Sequence, residues 1–170
     1  MNYDKAKELF IRYNFNKYEM DIHDVLDIYL KYQVPEELEK KWIKETLDEY
    51  IDYIEQKSSD DVQFRFGITL LFKFIDYLSL EQLQKIYNIY IKYINSYSIG
   101  NRAATNVRVF ELFKESLYIE ILPIMESVIN DLKKLSIQDE RVYKMFGDHI
   151  DRMTSEYIEK KKQLEGEHNI

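Results

Sequence analysis

The scarcity of glycine and proline constrains this chain most, because it leaves little material for turns. Only four of its 170 residues are Gly and two are Pro. These two residues interrupt regular structure most strongly, and a chain of helices needs few interruptions. No segment alternates apolar and polar residues for long enough to predict a strand. The sequence therefore predicts an all-α fold.

Capping signals divide the chain into seven or eight predicted helices. Pro35 precedes two glutamates, which is typical of a helix start, and Ser79 with Gln82 three residues later forms a capping box. The first two predicted helices cover about 4–13 and about 19–32. The next four run from Pro35 to about Gln56, from the capping stretch Ser58-Ser59-Asp60-Asp61 across Ile75, from Ser79 across Tyr93, and from a turn at Gly100-Asn101 across Leu117. The last two run from Pro123 across Leu132, and from Ser136, with Asp139 three residues later, to about Leu164. We expect one helical domain over residues 1–165 and a flexible tail over 166–170.

The predicted helix pairs recur about every 40 residues. Leu71-Phe72-Lys73 matches Leu112-Phe113-Lys114 at an offset of 41. Four apolar positions of one predicted helix also align with four of a later one: Leu83, Ile86, Tyr90 and Tyr93 with Met125, Val128, Leu132 and Leu135. Over about residues 60–135 this pattern resembles HEAT-type α-solenoid repeats. The resemblance implies stacked antiparallel helical hairpins, with the long C-terminal helix covering the end of the stack. The alternative is an irregular helical bundle.

Composition excludes several classes of function. The net charge of −7 argues against a general nucleic-acid binder, which needs a basic face. The absence of Cys rules out disulfides and thiolate metal sites, and it fits a reducing compartment. No apolar run approaches the roughly 18 residues that span a bilayer. We therefore expect a cytoplasmic protein that binds neither nucleic acid nor membrane.

The residues that carry most enzyme chemistry are few and scattered. The three histidines are His23, His149 and His168, and no metal-binding or nucleotide-binding motif surrounds them. We therefore predict a protein that is not an enzyme and that needs no metal or cofactor. If it were an enzyme, Asp148, His149 and Asp151 would be the first candidates, with Asp148 or His149 as general base. The structural alternative is that His149 is a partly buried, hydrogen-bonded side chain.

The only glycine inside an apolar predicted helix is Gly67. Large apolar side chains surround it in the sequence, and no phosphate-binding motif includes it. We therefore predict that it allows close packing between helices.

The predicted helix after Pro35 carries its charges against its own dipole. Lysines occupy its first half, whereas its second half is acidic, and acids near a helix C-terminus are destabilising. The acidic residues are Glu45, Asp48, Glu49, Asp52 and Glu55. Positions 45, 48, 52 and 55 fall on one face. This arrangement predicts either an acidic surface for a basic partner or an ordinary solvated face that Lys57 partly compensates.

Tyrosine is the other distinctive residue, with 15 in the chain. The predicted helix after Ser79 is apolar nearly all round, so it is either central in the fold or contacted on two sides. Its tyrosines favour a core role, but Tyr90, Tyr93 and Tyr97 together with nearby Arg102 are also candidates for partner binding, because Tyr is enriched at binding hot spots.

These features predict a non-enzymatic protein-binding module with an acidic, Tyr-rich face. In its size, acidity and helical character the chain is similar to bacterial immunity proteins, and that resemblance implies sequestration of a basic partner. One alternative is a homo-oligomeric scaffold component of a phage or stress system, which would associate through the helix after Ser79. The other is the enzyme centred on Asp148, His149 and Asp151. The chain is expected to be a monomer or a homodimer.

Overall fold

The computed structural model describes residues 3–8 and 33–168. Every regular element in these residues is helical and none is a strand, so the all-α prediction is confirmed. Residues 4–8 are helical, as predicted. The rest of the first predicted helix, the whole predicted helix at 19–32 and His23 lie outside the described residues.

Six α-helices follow residue 33. They are α1 (Glu36–Lys57), α2 (Asp61–Leu71), α3 (Leu80–Tyr93), α4 (Ile99–Lys114), α5 (Leu122–Gln138) and α6 (Glu140–His168). Short 3₁₀ helices follow α2, follow α3 and precede α5, at Phe72–Tyr77, Ile94–Ser96 and Ile119–Ile121. The chain divides into two compact units, Met1–Tyr50 and Ile51–Ile170, and the division falls within α1.

In the first unit, the predicted helix start after Pro35 is confirmed. The first turn of α1 is acidic, which suits the positive end of the helix dipole. Trp42 and Leu47 are buried on one side of this helix. On its other side Glu45 accepts a hydrogen bond from Lys7, with 3.2 Å between Nζ and Oε2.

In the second unit, two of the predicted caps are confirmed. The Gln82 amide donates to Ser79 Oγ at 3.1 Å, and the Ser79 amide donates to Gln82 Oε1 at 2.9 Å, which completes the capping box of α3. Asp60 caps α2 by accepting the Val62 amide at 2.9 Å. Each cap satisfies amides that have no partner within the helix, so these residues set where the helices begin.

Two predicted boundaries are wrong. Gly100 and Asn101 form the first turn of α4 instead of a loop, because the helix begins after Ser98, whose carbonyl accepts its first intrahelical bond. Ser136 lies within α5 and does not open α6. Instead Asp139 precedes α6, and its carboxylate accepts the amide two residues later at 2.8 Å.

The core of the second unit is built around α4 and α5. α4 packs against α2, α5 and α6, and α5 also packs against α6. The buried side chains of α4 and α5 include Val109, Phe110, Leu112, Phe113, Met125, Val128 and Leu132. At Gly67 of α2, an added Cβ would lie 2.7 Å from Cγ1 of Ile54 in α1. The prediction that Gly67 allows close packing is therefore confirmed.

Side-chain hydrogen bonds join helices that are two apart in the chain. The donor–acceptor pairs are Arg65–Thr105 (3.3 Å) between α2 and α4, Tyr87–Ser127 (3.2 Å) between α3 and α5, and Arg152–Glu111 (2.6 Å) between α6 and α4. The partners are 40, 40 and 41 residues apart. These contacts are compatible with stacked helical hairpins of the predicted period.

Candidate functional site

Two tyrosines of the predicted binding stripe lie in the core. The hydroxyl of buried Tyr90 donates to Asn106 Oδ1, and desolvation raises the pKa of this hydroxyl. The hydroxyl of Tyr97, which is also buried, donates to the carbonyl of Ser58. Tyr93 is half-buried. The core interpretation is therefore confirmed for Tyr90 and Tyr97, and neither side chain is accessible to a partner.

Arg102 is held by a partner within the chain. Its Nε donates to Asp131 Oδ2 at 2.9 Å, and a second bond joins Nη2 to Oδ1. Asn106 donates to the same carboxylate at 2.7 Å. Desolvation raises the pKa of Asp131, but the bonds from Arg102 and Asn106 more than offset it, so the net pKa is lowered. Contact between Arg102 and another protein would require breaking this bidentate pair.

The five predicted acidic residues are accessible to different degrees. Four of them are exposed and Glu55 is half-buried. Glu45, Asp48 and Glu49 belong to the first unit, and Asp52 and Glu55 to the second. Each unit therefore carries exposed acids of the predicted set, three in the first unit and Asp52 in the second.

Lysines neutralise part of this acidic face. In the first unit Glu45 pairs with Lys7. In the second unit Asp52 pairs with Lys85, and Glu55 lies 3.7 Å from Lys92. Exposed ion pairs of this kind contribute about 0–1 kcal/mol. These pairs therefore contribute little to the stability of the fold.

An exposed tyrosine that is not among the predicted binding residues directly follows Asp52 in α1. Tyr53 is 50% exposed and borders a groove of about 460 Å³ at the turn between α1 and α2. The groove is lined by Tyr53, Gln56, Lys57, Ser59, Asp60 and Gln63. Lys57 Nζ lies 5.9 Å from the centroid of the Tyr53 ring, within cation–π range. Helical spacing could have located Tyr53, because it follows exposed Glu49 by four residues.

The candidate catalytic residues do not converge. His149 is half-buried, its Nδ1 lies 3.2 Å from Arg152 Nη2, and its ring contacts that of Phe146. The predicted partly buried, hydrogen-bonded histidine is therefore confirmed. Asp148 and Asp151 instead line a groove between α5 and α6, and His149 is not part of that lining.

This groove, called the α6 groove below, has a volume of about 430 Å³. Its lining includes two strongly exposed apolar side chains, Ile137 at 86% and Tyr143 at 63%. It also includes Lys144, Gly147, Asp148 and Asp151. The sequence marks the two aspartates only as candidates for catalysis and does not predict the groove, because the C-terminal end of α5 forms its other wall.

Within residues 3–8 and 33–168, no group of three or more His, Asp or Glu side chains is placed to hold a metal ion. No helix of this part of the chain is both long and apolar enough to cross a bilayer. Comparison of the chain with protein-family models, with curated proteins and with solved structures finds no match.

Proposed function

We propose that this chain is a non-enzymatic protein-binding module that holds a basic partner at the acidic end of α1. The observation that carries the proposal is the exposed ring of Tyr53, which lines an open groove together with Asp60 and directly follows the exposed Asp52 in α1. Tyrosine contributes large, rigid contact area at binding hot spots. Flanking carboxylates favour a partner with lysine or arginine side chains.

The chemistry of this surface suits arginine particularly well. A guanidinium can stack on an aromatic ring while it pairs with a carboxylate. Lys57 already lies over the Tyr53 ring, so the ring accepts a cation within the chain itself. Asp60 uses Oδ1 to cap α2, and its Oδ2 accepts no hydrogen bond from the described residues. A partner cation could therefore bind Oδ2 without uncapping the helix.

The overall charge supports the same proposal. A net charge of −7 attracts a basic protein over distances set by the ionic strength, which speeds association. A bacterial immunity-type protein, sequestering a basic toxin in the cytoplasm, is one form of this function. In that form the affinity depends on Tyr53 and its flanking acids, and the rate of association depends on salt.

The homo-oligomeric scaffold alternative, which would use α3, has less support. Among the large apolar side chains of α3, Ile91 is exposed, whereas Leu83, Ile86, Ile89 and Tyr90 are buried. A single exposed isoleucine does not form an association face. Self-association would have to use another surface of the chain.

A fluorescent deca-arginine peptide tests the binding surface directly, with fluorescence anisotropy as the readout. We expect Tyr53→Ala and Asp52→Lys each to weaken binding about tenfold, which corresponds to about 1.4 kcal/mol. Glu120→Lys is the matched control, because it makes the same charge change at an exposed position before α5. Circular dichroism confirms that each variant is folded.

The control decides whether the effect is local. We expect Glu120→Lys to weaken binding less than about twofold, because screening limits the reach of one surface charge to about 10 Å. Equal losses for Glu120→Lys and Asp52→Lys would show that the peptide responds to net charge alone. That result, or wild-type affinity for Tyr53→Ala, would reject the proposed surface.

A further inference from the structure

The exposed face of α6 has an ordered charge pattern about Gly147. Glu140, Lys144, Gly147 and Asp151 follow one another at spacings of 4, 3 and 4, so they share one face of the helix. Lys144 and Asp151 are exposed and Gly147 is half-buried. The cation therefore precedes the glycine by about one turn, and the carboxylate follows it by about one turn.

We propose that this face binds a second copy of the chain, with the two α6 helices packed antiparallel across Gly147. A two-fold axis between positions 147 and 148 brings position 144 of each copy opposite position 151 of the other. Lys144 then meets Asp151 of the second copy, and the same pair forms again on the other side of the axis. Such an interface uses one surface patch twice, as two-fold dimers do.

Charge order selects this arrangement over the parallel one. In a parallel pair, each side chain faces its own equivalent, so Lys144 would oppose a lysine and Asp151 an aspartate. In the antiparallel pair, both contacts are attractive. Neither Asp148 nor Asp151 forms a hydrogen bond or an ion pair with any described residue. Among the described residues Lys144 pairs only with Glu140, at 3.3 Å and with both side chains highly exposed, so that pair contributes little.

Gly147 supports the same conclusion from packing. Glycine inside a helix costs about 0.5–1 kcal/mol relative to alanine. The fold itself does not require a glycine here, because a Cβ at this position would meet only the Tyr143 ring, at an ordinary 3.7 Å. A second helix packed on this face does benefit, because Gly147 has no side chain and the two backbones can approach closely. Gly67, by contrast, is required by a contact inside the chain.

The surroundings provide apolar contact area on both copies. Tyr143 and Ile137 are strongly exposed at the α6 groove. Because the two copies are related by a two-fold axis, each contributes one groove and one exposed tyrosine to the interface. With the axis between positions 147 and 148, residues 140–155 of the two α6 helices overlap, which corresponds to about 24 Å of helix. The proposal does not depend on the acidic surface around Tyr53, which lies on other helices.

Charge reversal on the full chain tests the pairing, with sedimentation velocity over a range of concentrations as the readout. We expect the wild type to form a dimer as its concentration rises. Lys144→Asp places Asp opposite Asp, and Asp151→Lys places Lys opposite Lys, so each variant alone should dissociate at a concentration about tenfold higher or more. An equimolar mixture of the two variants should form a heterodimer, because both contacts are again attractive. The double variant should form a homodimer for the same reason.

Matched controls separate pairing from general charge effects. Lys40→Asp disrupts an equivalent exposed pair with Glu36, four residues earlier in α1, and should leave the dimer unchanged. Gly147→Gln suits an exposed helix position but blocks close approach, so it should give a folded monomer by circular dichroism. The proposal is overturned by a wild type that is monomeric at every concentration, by single reversals that remain dimeric, or by a mixture that fails to associate.

Discussion

Replacing Gly67 with alanine should destabilise the protein even though alanine favours a helix. The new Cβ would lie 2.7 Å from Cγ1 and 2.9 Å from Cδ1 of Ile54. Comfortable carbon–carbon contacts begin at about 3.5 Å. Ile54 is buried and β-branched, so its χ1 angle is restricted and the side chain has little room to move. The strain must therefore be relieved by separating α1 from α2.

The expected magnitude follows from two opposing effects. Overpacking a filled core costs about 1–3 kcal/mol, whereas exchanging glycine for alanine in a helix gains about 0.5–1 kcal/mol. The net change in the free energy of unfolding should be a loss of about 1–2 kcal/mol. Urea unfolding followed by circular dichroism measures this difference directly.

Two variants make the test specific. Gly100→Ala is the matched control, because Gly100 is also helical and has no atom within 4 Å of an added Cβ; it should keep or raise stability. In an Ile54→Ala background, Gly67→Ala should cost nothing, because the clashing atoms are gone. A Gly67→Ala variant as stable as Gly100→Ala, or a cost unchanged in the Ile54→Ala background, would refute the packing argument.

Two further predictions concern polar groups that are buried or half-buried. Asp131→Asn should lower the free energy of unfolding by about 2–4 kcal/mol at pH 7, because Arg102 loses its charged partner. The pKa of Asp131 is lowered on folding, so its contribution to the free energy of unfolding is present above the ordinary pKa of 3.8 and is lost as the pH falls through the folded pKa. The free energy of unfolding should therefore fall less steeply with acid for Asp131→Asn than for the wild type. Tyr97→Phe should cost about 1–2 kcal/mol in urea unfolding by leaving the Ser58 carbonyl without its donor. A loss below about 0.5 kcal/mol would mean that water replaces the hydroxyl.

Local signals in the sequence predicted helix starts well where a side chain caps the helix. Ser79 with Gln82 and Asp60 both act as expected, because capping depends on residues within one turn. The Gly100-Asn101 prediction failed because both residues are tolerated in the first turn of a helix, where few intrahelical bonds are yet made. Their turn preference was therefore outweighed by the contacts of α4 with its neighbours.

Accessibility was harder to predict than helix position. A tyrosine-rich helix is equally compatible with a core position and with an interface position. Its exposure depends on which other helices pack against it. Tyr90 can be buried without cost to its hydroxyl because Asn106 Oδ1 of α4 accepts a hydrogen bond from it. Arg102 was expected at a partner-binding surface. It instead pairs with Asp131, which lies 29 residues later in the sequence. Ion pairs between residues this far apart leave no local pattern in the sequence. The sequence therefore predicts which acidic residues lie together on α1, but not which lysines they pair with.

The spacing of the interhelical hydrogen bonds has a consequence for how the chain acquires its structure. The bonds described for the second unit join residues between 16 and 42 positions apart, from Tyr90–Asn106 to Lys114–Glu156. Short separations cost little loop-closure entropy and favour fast folding. Each helix has its partners among the helices made shortly before it, so on a ribosome it can dock as soon as it emerges. α6 is synthesised after all the helices that it contacts, and the surface proposed to join two copies is therefore completed only after the rest of the second unit has been made.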